Sequence, residues 1–154
     1  MATDLEALAF RKLARLESAG LPAPARLTAT LRLLAKYRTE VITLTLRDEI
    51  GDTVQHGPFA GMQLLGGAAE GCYIPKLLGC YEMELHDGIE KLHGRNYDAI
   101  IDIGCAEGYY AVGFARVLPG VIVHARDTDP RARGLCQRMA ELNGVSDRVH
   151  IDGE

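Results

Sequence analysis

Three acids and two glycines in this chain are spaced to hold a nucleotide-like ligand. Asp102, Gly104, Ala106, Glu107 and Gly108 crowd into one short turn, and Asp127 follows nineteen residues after Gly108. Glycine at 104 and 108 permits positive φ and lets the backbone approach a ligand that a Cβ would hold off. Backbone N–H groups of such a turn can meet a carboxylate or phosphate. Asp127, with Thr128 beside it, can accept the two hydroxyls of a ribose. Cys105 lies inside the same turn, but a cysteine nucleophile needs a paired base and none is evident. It is read as lining the turn. Glycines alone are a weak motif, since such turns also merely join strand to helix. The flanking acids make this one informative.

Positioning these residues requires a strand, a helix and a second strand. Ala99, Ile100, Ile101 and Ile103 form a short apolar run, the pattern of a strand covered on both faces in a parallel sheet. Glu107 to Val117 carries Ala111, Val112, Phe114, Ala115 and Val117, and reads as a helix packed on that sheet and ended by Pro119-Gly120. Val121 to Ala125 is a second strand, with Asp127 at its C-terminal end. Asp129 as N-cap and Pro130 at the first helical position open another helix, which Asn143-Gly144 stops. Val149 to Ile151 is a third strand. This order predicts an α/β, doubly wound, Rossmann-like parallel sheet joined by right-handed crossovers. Ligands of such sheets sit beyond the carboxyl ends of the strands, where the turn and Asp127 both fall.

Read as Asp102-x-Gly104-x-Ala106-x-Gly108, the turn resembles the first motif of class I S-adenosylmethionine-dependent methyltransferases. The resemblance implies that Asp102, Gly104, Glu107 and Gly108, with Cys105 and Ala106 between them, hold the methionine half of the cofactor. It implies that Asp127, followed by Thr128, reads the ribose. Ala106 stands where a glycine is usual, and its small size keeps the match. The dinucleotide fingerprint G-x-G-x-x-G fits less well, because positions 106 and 109 are Ala and Tyr. Asp102 would also repel a pyrophosphate placed so near. An NAD(P)- or other nucleotide-binding enzyme domain is the second reading, and a non-catalytic binding module the third.

A wider resemblance lies upstream. His56-Gly57-Pro58-Phe59-Ala60-Gly61-Met62 and Pro75-Lys76-Leu77-Leu78-Gly79-Cys80-Tyr81-Glu82-Met83-Glu84-Leu85 look like the region ahead of the first motif in bacterial methyltransferases of the FkbM-like and related groups. It implies that the helix opened by Pro75 lies across the ligand cleft. Tyr81, Glu82 and Tyr109 are then cleft-lining candidates, with Glu84 and Tyr110 beside them; the plainer reading is packing tyrosines and exposed glutamates.

With 154 residues, 47% apolar and 25% charged, the chain has room for a core of ordinary size. A net charge of −4 favours neither nucleic acid nor a membrane surface as partner. No apolar run reaches the ~20 residues of a membrane span. Asp4 and Glu6 stand where a signal peptide would be basic, so a cytoplasmic location is expected. Cys72, Cys80, Cys105 and Cys136 show neither C-x-x-C pairing nor metal spacing, with no metal expected, and Cys72, Cys80 and Cys136 read as reduced packing residues. His86 and His93 lie i, i+7 apart, wider than a helical metal pair, and read as solvated or capping.

Three segments are expected: 1–39, helical; 40–93, an antiparallel strand and loops followed by a helix; and 94–154, part of a Rossmann-like domain for S-adenosylmethionine. Thr3 with Glu6 suggests a capping box for a first helix to Ser18, with Leu5, Leu8, Leu13 and Leu16 inward. A second helix spans about Pro24 to Tyr37 with Leu27, Leu31, Leu34 and Ala35 as its stripe. The basic residues of both helices (Arg11, Lys12, Arg15, Arg26, Arg32, Lys36 and Arg38) read as solvated faces rather than an RNA- or phosphate-binding face. Glu40 to Leu46 alternates Val41, Thr43 and Thr45 against Ile42, Leu44 and Leu46, the pattern of a half-buried strand. An extended piece at Thr53 to Gln55 and a loop rich in glycine (Gly57, Gly61, Gly66, Gly67, Gly71) follow, read as a lid or wall of the pocket. The helix from Pro75 is expected to run to about Leu92.

Methyl transfer asks the protein mainly to align donor and acceptor and sometimes to remove a proton. The sequence offers a cofactor half-site and no identifiable catalytic residue or acceptor pocket; a small molecule or a glycan is the acceptor class expected. Sheets of the resembling family have more strands. The chain therefore reads as an N-terminal portion of a longer enzyme, inactive alone, with Asp152 or Glu154 near the adenine position. An open apolar strand edge would invite self-association.

Overall fold

Short apolar strands alternating with amphipathic helices are most economically buried as a parallel sheet with right-handed crossovers, and the C-terminal part of the chain does this. The computed structural model describes residues 2–66 and 72–153, residues 2 and 3 by their backbone alone. The chain divides into two compact units, Met1–Gly51 and Asp52–Glu154.

The first unit is a helical hairpin. Helix α1 (Ala2–Ser18) is followed by Gly20 in the left-handed region and then by α2 (Ala23–Ile50). Leu5, Leu8, Ala9 and Lys12 face Leu33, Lys36, Tyr37 and Glu40 across a shallow groove. The inward stripe of α2 therefore runs through Leu33 and Tyr37, whereas Leu27, Leu31 and Leu34, expected inside, are exposed. The strand expected at Glu40 to Leu46 is instead the continuation of α2. Strand preferences of Val, Ile and Thr amount to less than about 1 kcal/mol each. Extending a formed helix adds a hydrogen bond per residue without a new nucleus. Thr39 and Thr45 also donate their hydroxyls to the carbonyls of Ala35 and Val41, at 3.1 and 3.0 Å, which settles β-branched residues in a helix. Gly51, at φ 72°, ends it. The Thr3 side chain, and with it the expected capping box, lies outside the described residues, as do Gly67, Gly71 and Glu154.

The second unit is α/β and Rossmann-like. Strands β1 (Ala99–Ile103), β2 (Ile122–Arg126) and β3 (Val149–Asp152) are parallel in the order β1-β2-β3. Helices α5 (Tyr109–Val117) and α6 (Pro130–Leu142) make the crossovers. The register aligns Ile100 with Val123 and Asp102 with Ala125, and then Val123 with Val149 and Ala125 with Ile151. This face carries the core: Val123, Ala125 and Val149 against Ala111, Val112, Ala115, Cys136, Met139 and Ala140. Two crossovers advancing in the same direction place both helices on one side. The opposite face, with Ile101, Ile103, His124 and His150, has no helix of the second unit over it among the described residues. Consequently β1 is not covered on both faces as its apolar run suggested: Ile101 is 66% and Ile103 83% exposed.

The segment before β1 packs as a folded layer. An isolated bridge joins Thr53 to Gln63, and Val54 N–H donates to the Met62 carbonyl at 2.8 Å. Val54, Phe59 and Met62 are fully buried. The Phe59 ring lies against Gly113 of α5, where any Cβ would stand 2.7 Å from it. Edge-on contacts with Tyr109, Tyr110 and Phe114 complete its surroundings. Asn143 at the end of α6 pairs with the Gln63 backbone in both directions, at 2.9 and 2.8 Å. The segment is thus a packed layer over its described residues. The long helix expected from Pro75 is three pieces: α3 (Tyr73–Leu78), a 3₁₀ turn (Met83–Leu85) and α4 (His86–Glu90). Gly79, at φ 78° and pressed on the His56 backbone, ends α3 where an apolar period alone would carry it on. His86 and His93 thus share no helix face, and His86 Nε2 lies 3.2 Å from the Tyr81 carbonyl.

Candidate functional site

The carboxyl ends of β1 and β2 bring the predicted turn and the predicted acid together. Beyond Ile103 the chain takes positive φ at Gly104 (83°), Ala106 (47°) and Gly108 (90°). The N–H groups of Gly104 and Cys105 donate to the Arg126 carbonyl at 2.8 and 3.0 Å, fastening the turn to the end of β2. Ala106 N–H donates to Asp127 Oδ2 at 3.0 Å, and Gly108 N–H to the Cys105 carbonyl at 2.7 Å. Four of the turn's five N–H groups are therefore used inside the protein. The donors left for a ligand are the N–H of Glu107 and those of Tyr109 and Tyr110 at the start of α5, which have no intrahelical partner, whereas the Ala111 N–H is taken by Asp102. Asp127 Oδ1 accepts Asp129 N–H at 2.8 Å, so both oxygens of Asp127 are already aimed by backbone donors.

The two glycines serve different ends. A Cβ at Gly104 would meet open space, so this position is free for close approach by a ligand. A Cβ at Gly108 would stand 2.7 Å from Cys136 Sγ and 3.2 Å from Cys136 Cα, so Gly108 admits α6 beneath the turn. Cys105 and Cys136 meet there. The interaction of the two thiols lowers the pKa of Cys105 and raises that of Cys136. Both are buried; Cys136 packs as expected, whereas Cys80, expected to pack, is exposed.

Carboxylates dominate the site. Burial raises the Asp102 pKa, and the nearby Asp127 adds to the rise, against a hydrogen bond from the Ala111 backbone. Asp102 Oδ2 and Glu107 Oε2 are buried oxygens with no hydrogen-bond partner. An unsatisfied buried acceptor costs about 1–3 kcal/mol, so this turn calls for donors. The second oxygen-bearing arm of Glu107 is paired: Oε1 accepts from Lys76 Nζ at 2.5 Å, both side chains 7% exposed. Lys76 Nζ also lies 4.7 Å from the Tyr81 ring centroid and 5.5 Å from that of Tyr109.

Of the cleft-lining candidates, Tyr81, Tyr109 and Tyr110 form a mutual cluster at the start of α5. Glu82 accepts the Tyr110 hydroxyl and holds a left-handed conformation (φ 46°) uncommon outside glycine. Burial, then Glu82, raise the Tyr81 pKa; burial pushes Tyr109 up to about 12. Glu84 is exposed on the 3₁₀ turn. Thr128 is exposed and accepts Arg133 Nη1 through its carbonyl at 3.2 Å. Arg133 and Lys76 were not anticipated, nor was the place of Cys136 directly beneath the turn. Arg133 fixes the loop after β2 by donating to the Asp127 carbonyl at 2.7 Å. For Lys76 a signal existed: Tyr73, Lys76 and Leu77 share one face of α3, and all three are buried.

No protein-family model matches the chain, and no solved structure matches it. Over 75 residues it is 32% identical to a release factor glutamine methyltransferase of Chlorobaculum tepidum. That stretch is 46% of this chain and 26% of the relative, so the chain spans about a quarter of the relative's length. The likeness is to a methyltransferase, the class to which the turn had pointed. Among the described residues no helix is long and apolar enough to cross a membrane, and no group of three or more His, Cys, Asp or Glu side chains is placed to hold a metal ion.

Proposed function

We propose that residues 99–152 bind S-adenosylmethionine and that the chain is the cofactor-binding portion of a class I methyltransferase. The observation that carries the reading is the acid-rich turn at the strand ends. Asp102 and Glu107 each present a buried carboxylate oxygen without a donor, beside Asp127 held in place by Ala106 N–H. Such a site suits a cationic ligand with N–H donors and repels a pyrophosphate. In this reading Asp102 and Glu107 hold the methionine end, the open Cβ side of Gly104 admits it, and Asp127 accepts the ribose hydroxyls through lone pairs its backbone donors leave free. The bound cofactor supplies a methyl group on a good leaving group. The protein's part is to orient it and to exclude water.

The acceptor we propose is a small molecule or a glycan; the likeness of residues 56–62 and 75–85 to the FkbM-like and related groups does not itself fix a substrate. The Chlorobaculum relative, by its name, acts on a glutamine of a release factor, so a protein amide is the competing acceptor. A nicotinamide nucleotide is the competing ligand. Titration with S-adenosylhomocysteine tests the site. Binding that Asp127→Ala weakens by about tenfold or more, the loss of a charge-assisted hydrogen bond, supports the assignment. Tight binding indifferent to Asp127→Ala refutes it.

A further inference from the structure

The buried Lys76–Glu107 pair is unexplained by stability. Bringing two charges out of water costs as much as, or more than, their attraction returns, and well-packed apolar residues often do as well. Yet here the ammonium comes from α3, outside the sheet, and reaches into the ligand turn. It occupies one oxygen of Glu107 at 2.5 Å and is boxed by the Tyr81 and Tyr109 rings. The other oxygen, Oε2, is buried and has no partner. A carboxylate pinned through one oxygen loses its rotameric freedom and offers the second in a fixed place. Pinning of this kind is how a neighbouring residue tunes a binding group without touching the ligand.

We propose that Lys76 is a positioning residue that, through Glu107, sets the preference of the site for ligands carrying an α-ammonium group. The proposal rests on the cofactor reading above and deepens it. Lys76 and Glu107 act as one unit: Lys76 fixes Oε1, and Oε2 accepts from the ammonium of the ligand's amino-acid half. Tyr81 and Tyr109 keep Nζ from swinging towards solvent. The specificity of a site built to satisfy polar groups comes from the acceptor left unpaired when the donor is missing.

The test compares two probes on the 154-residue chain by calorimetry: S-adenosylhomocysteine, which carries the ammonium, and 5′-methylthioadenosine, which lacks the amino-acid half. The unaltered chain binds the first more tightly. Lys76→Met, Glu107→Gln and the double variant should each lower affinity for S-adenosylhomocysteine by about tenfold or more and leave methylthioadenosine within about threefold. The three losses should be equal, as for residues acting as a unit. The double variant removes both charges of the buried pair and leaves neither partner unpaired, and its binding of methylthioadenosine certifies a folded site. Retention of the preference in the double variant overturns the proposal. So does a Glu107→Gln variant that binds S-adenosylhomocysteine more tightly, because Lys76 would then be reading the ligand's carboxylate directly. An unaltered chain that binds both probes equally overturns the proposal and spares the cofactor reading; one that binds neither overturns both.

Discussion

Gly108 and Gly104 both take a positive φ and differ in their surroundings, so substituting each by alanine separates packing from ligand approach. At Gly108 the new Cβ would lie 2.7 Å from Cys136 Sγ, 3.2 Å from its Cα and 3.3 Å from its Cβ, at φ 90°. The left-handed backbone costs an L-residue about 1–2 kcal/mol, and forcing an extra methyl into a filled space about 1–3 kcal/mol. Gly108→Ala should therefore destabilise the second unit by roughly 2–5 kcal/mol, a large part of the ~5–15 kcal/mol that holds a domain together. At Gly104 (φ 83°) nothing lies within 4 Å of the added Cβ, so only the backbone cost of about 1–2 kcal/mol applies. Five of the six tyrosines lie beyond Gly51, so near-ultraviolet circular dichroism during urea unfolding follows the second unit. Adding Cys136→Ala to Gly108→Ala removes the nearest atom and should return at least about 0.5 kcal/mol beyond additivity. Equal destabilisation by the two glycine variants, or no coupling between 108 and 136, would refute the reasoning. Gly104→Ala, although the milder change in stability, should be the more damaging to ligand binding.

Other consequences are as direct. Asp102→Asn should stabilise the fold at pH 7, because burial raises the pKa of Asp102 and its ionised form is held at a cost. The sign follows from linkage: the folded state keeps the proton to higher pH than the unfolded state, so this group's contribution is full below its unfolded pKa and is lost as pH rises through the folded one. The advantage of the variant over the parent should thus vanish on acidification below the carboxylate range, and urea midpoints against pH will show it. Among the thiols, exposed Cys80 should react first with an aromatic disulfide reagent, and Cys136, fully buried with a raised pKa, last. Mass spectrometry of partly labelled protein reads the order; early labelling of Cys136 would contradict the packing of α6 beneath the turn. Phe59→Ala should destabilise the second unit by about 3–5 kcal/mol, since the ring is fully buried against α5. A loss under about 1 kcal/mol would mean that residues 52–66 do not form a fixed wall.

The Rossmann-like part was legible in the sequence because its signals are local. Asp129-Pro130 marks a helix start, and Asp129 Oδ1 does accept Arg131 N–H at 2.8 Å. Three short apolar runs separated by amphipathic stretches leave little choice but a parallel sheet. The burial of β1 was not legible, because an isoleucine's exposure depends on what lies over its face. The strand expected at residues 40–46 shows the opposite failure: a clean period of two lost to a helix already under way. Gly79 ends α3 through a close approach to His56, a tertiary fact that no period reveals. At the site, the residues predicted to meet, Asp102, the 104–108 turn and Asp127, do meet. The residue that pins the turn from outside, Lys76, had only its place among buried neighbours to announce it.

The central claim, that the turn after β1 holds S-adenosylmethionine, is tested most directly by titrating the ¹⁵N-labelled chain with S-adenosylhomocysteine and, separately, with NAD. The account predicts saturable shifts for S-adenosylhomocysteine centred on the amides of residues 104–111 and 127–129, with none of comparable size for NAD. Saturation by NAD at those amides, with S-adenosylhomocysteine leaving them unmoved, would contradict it.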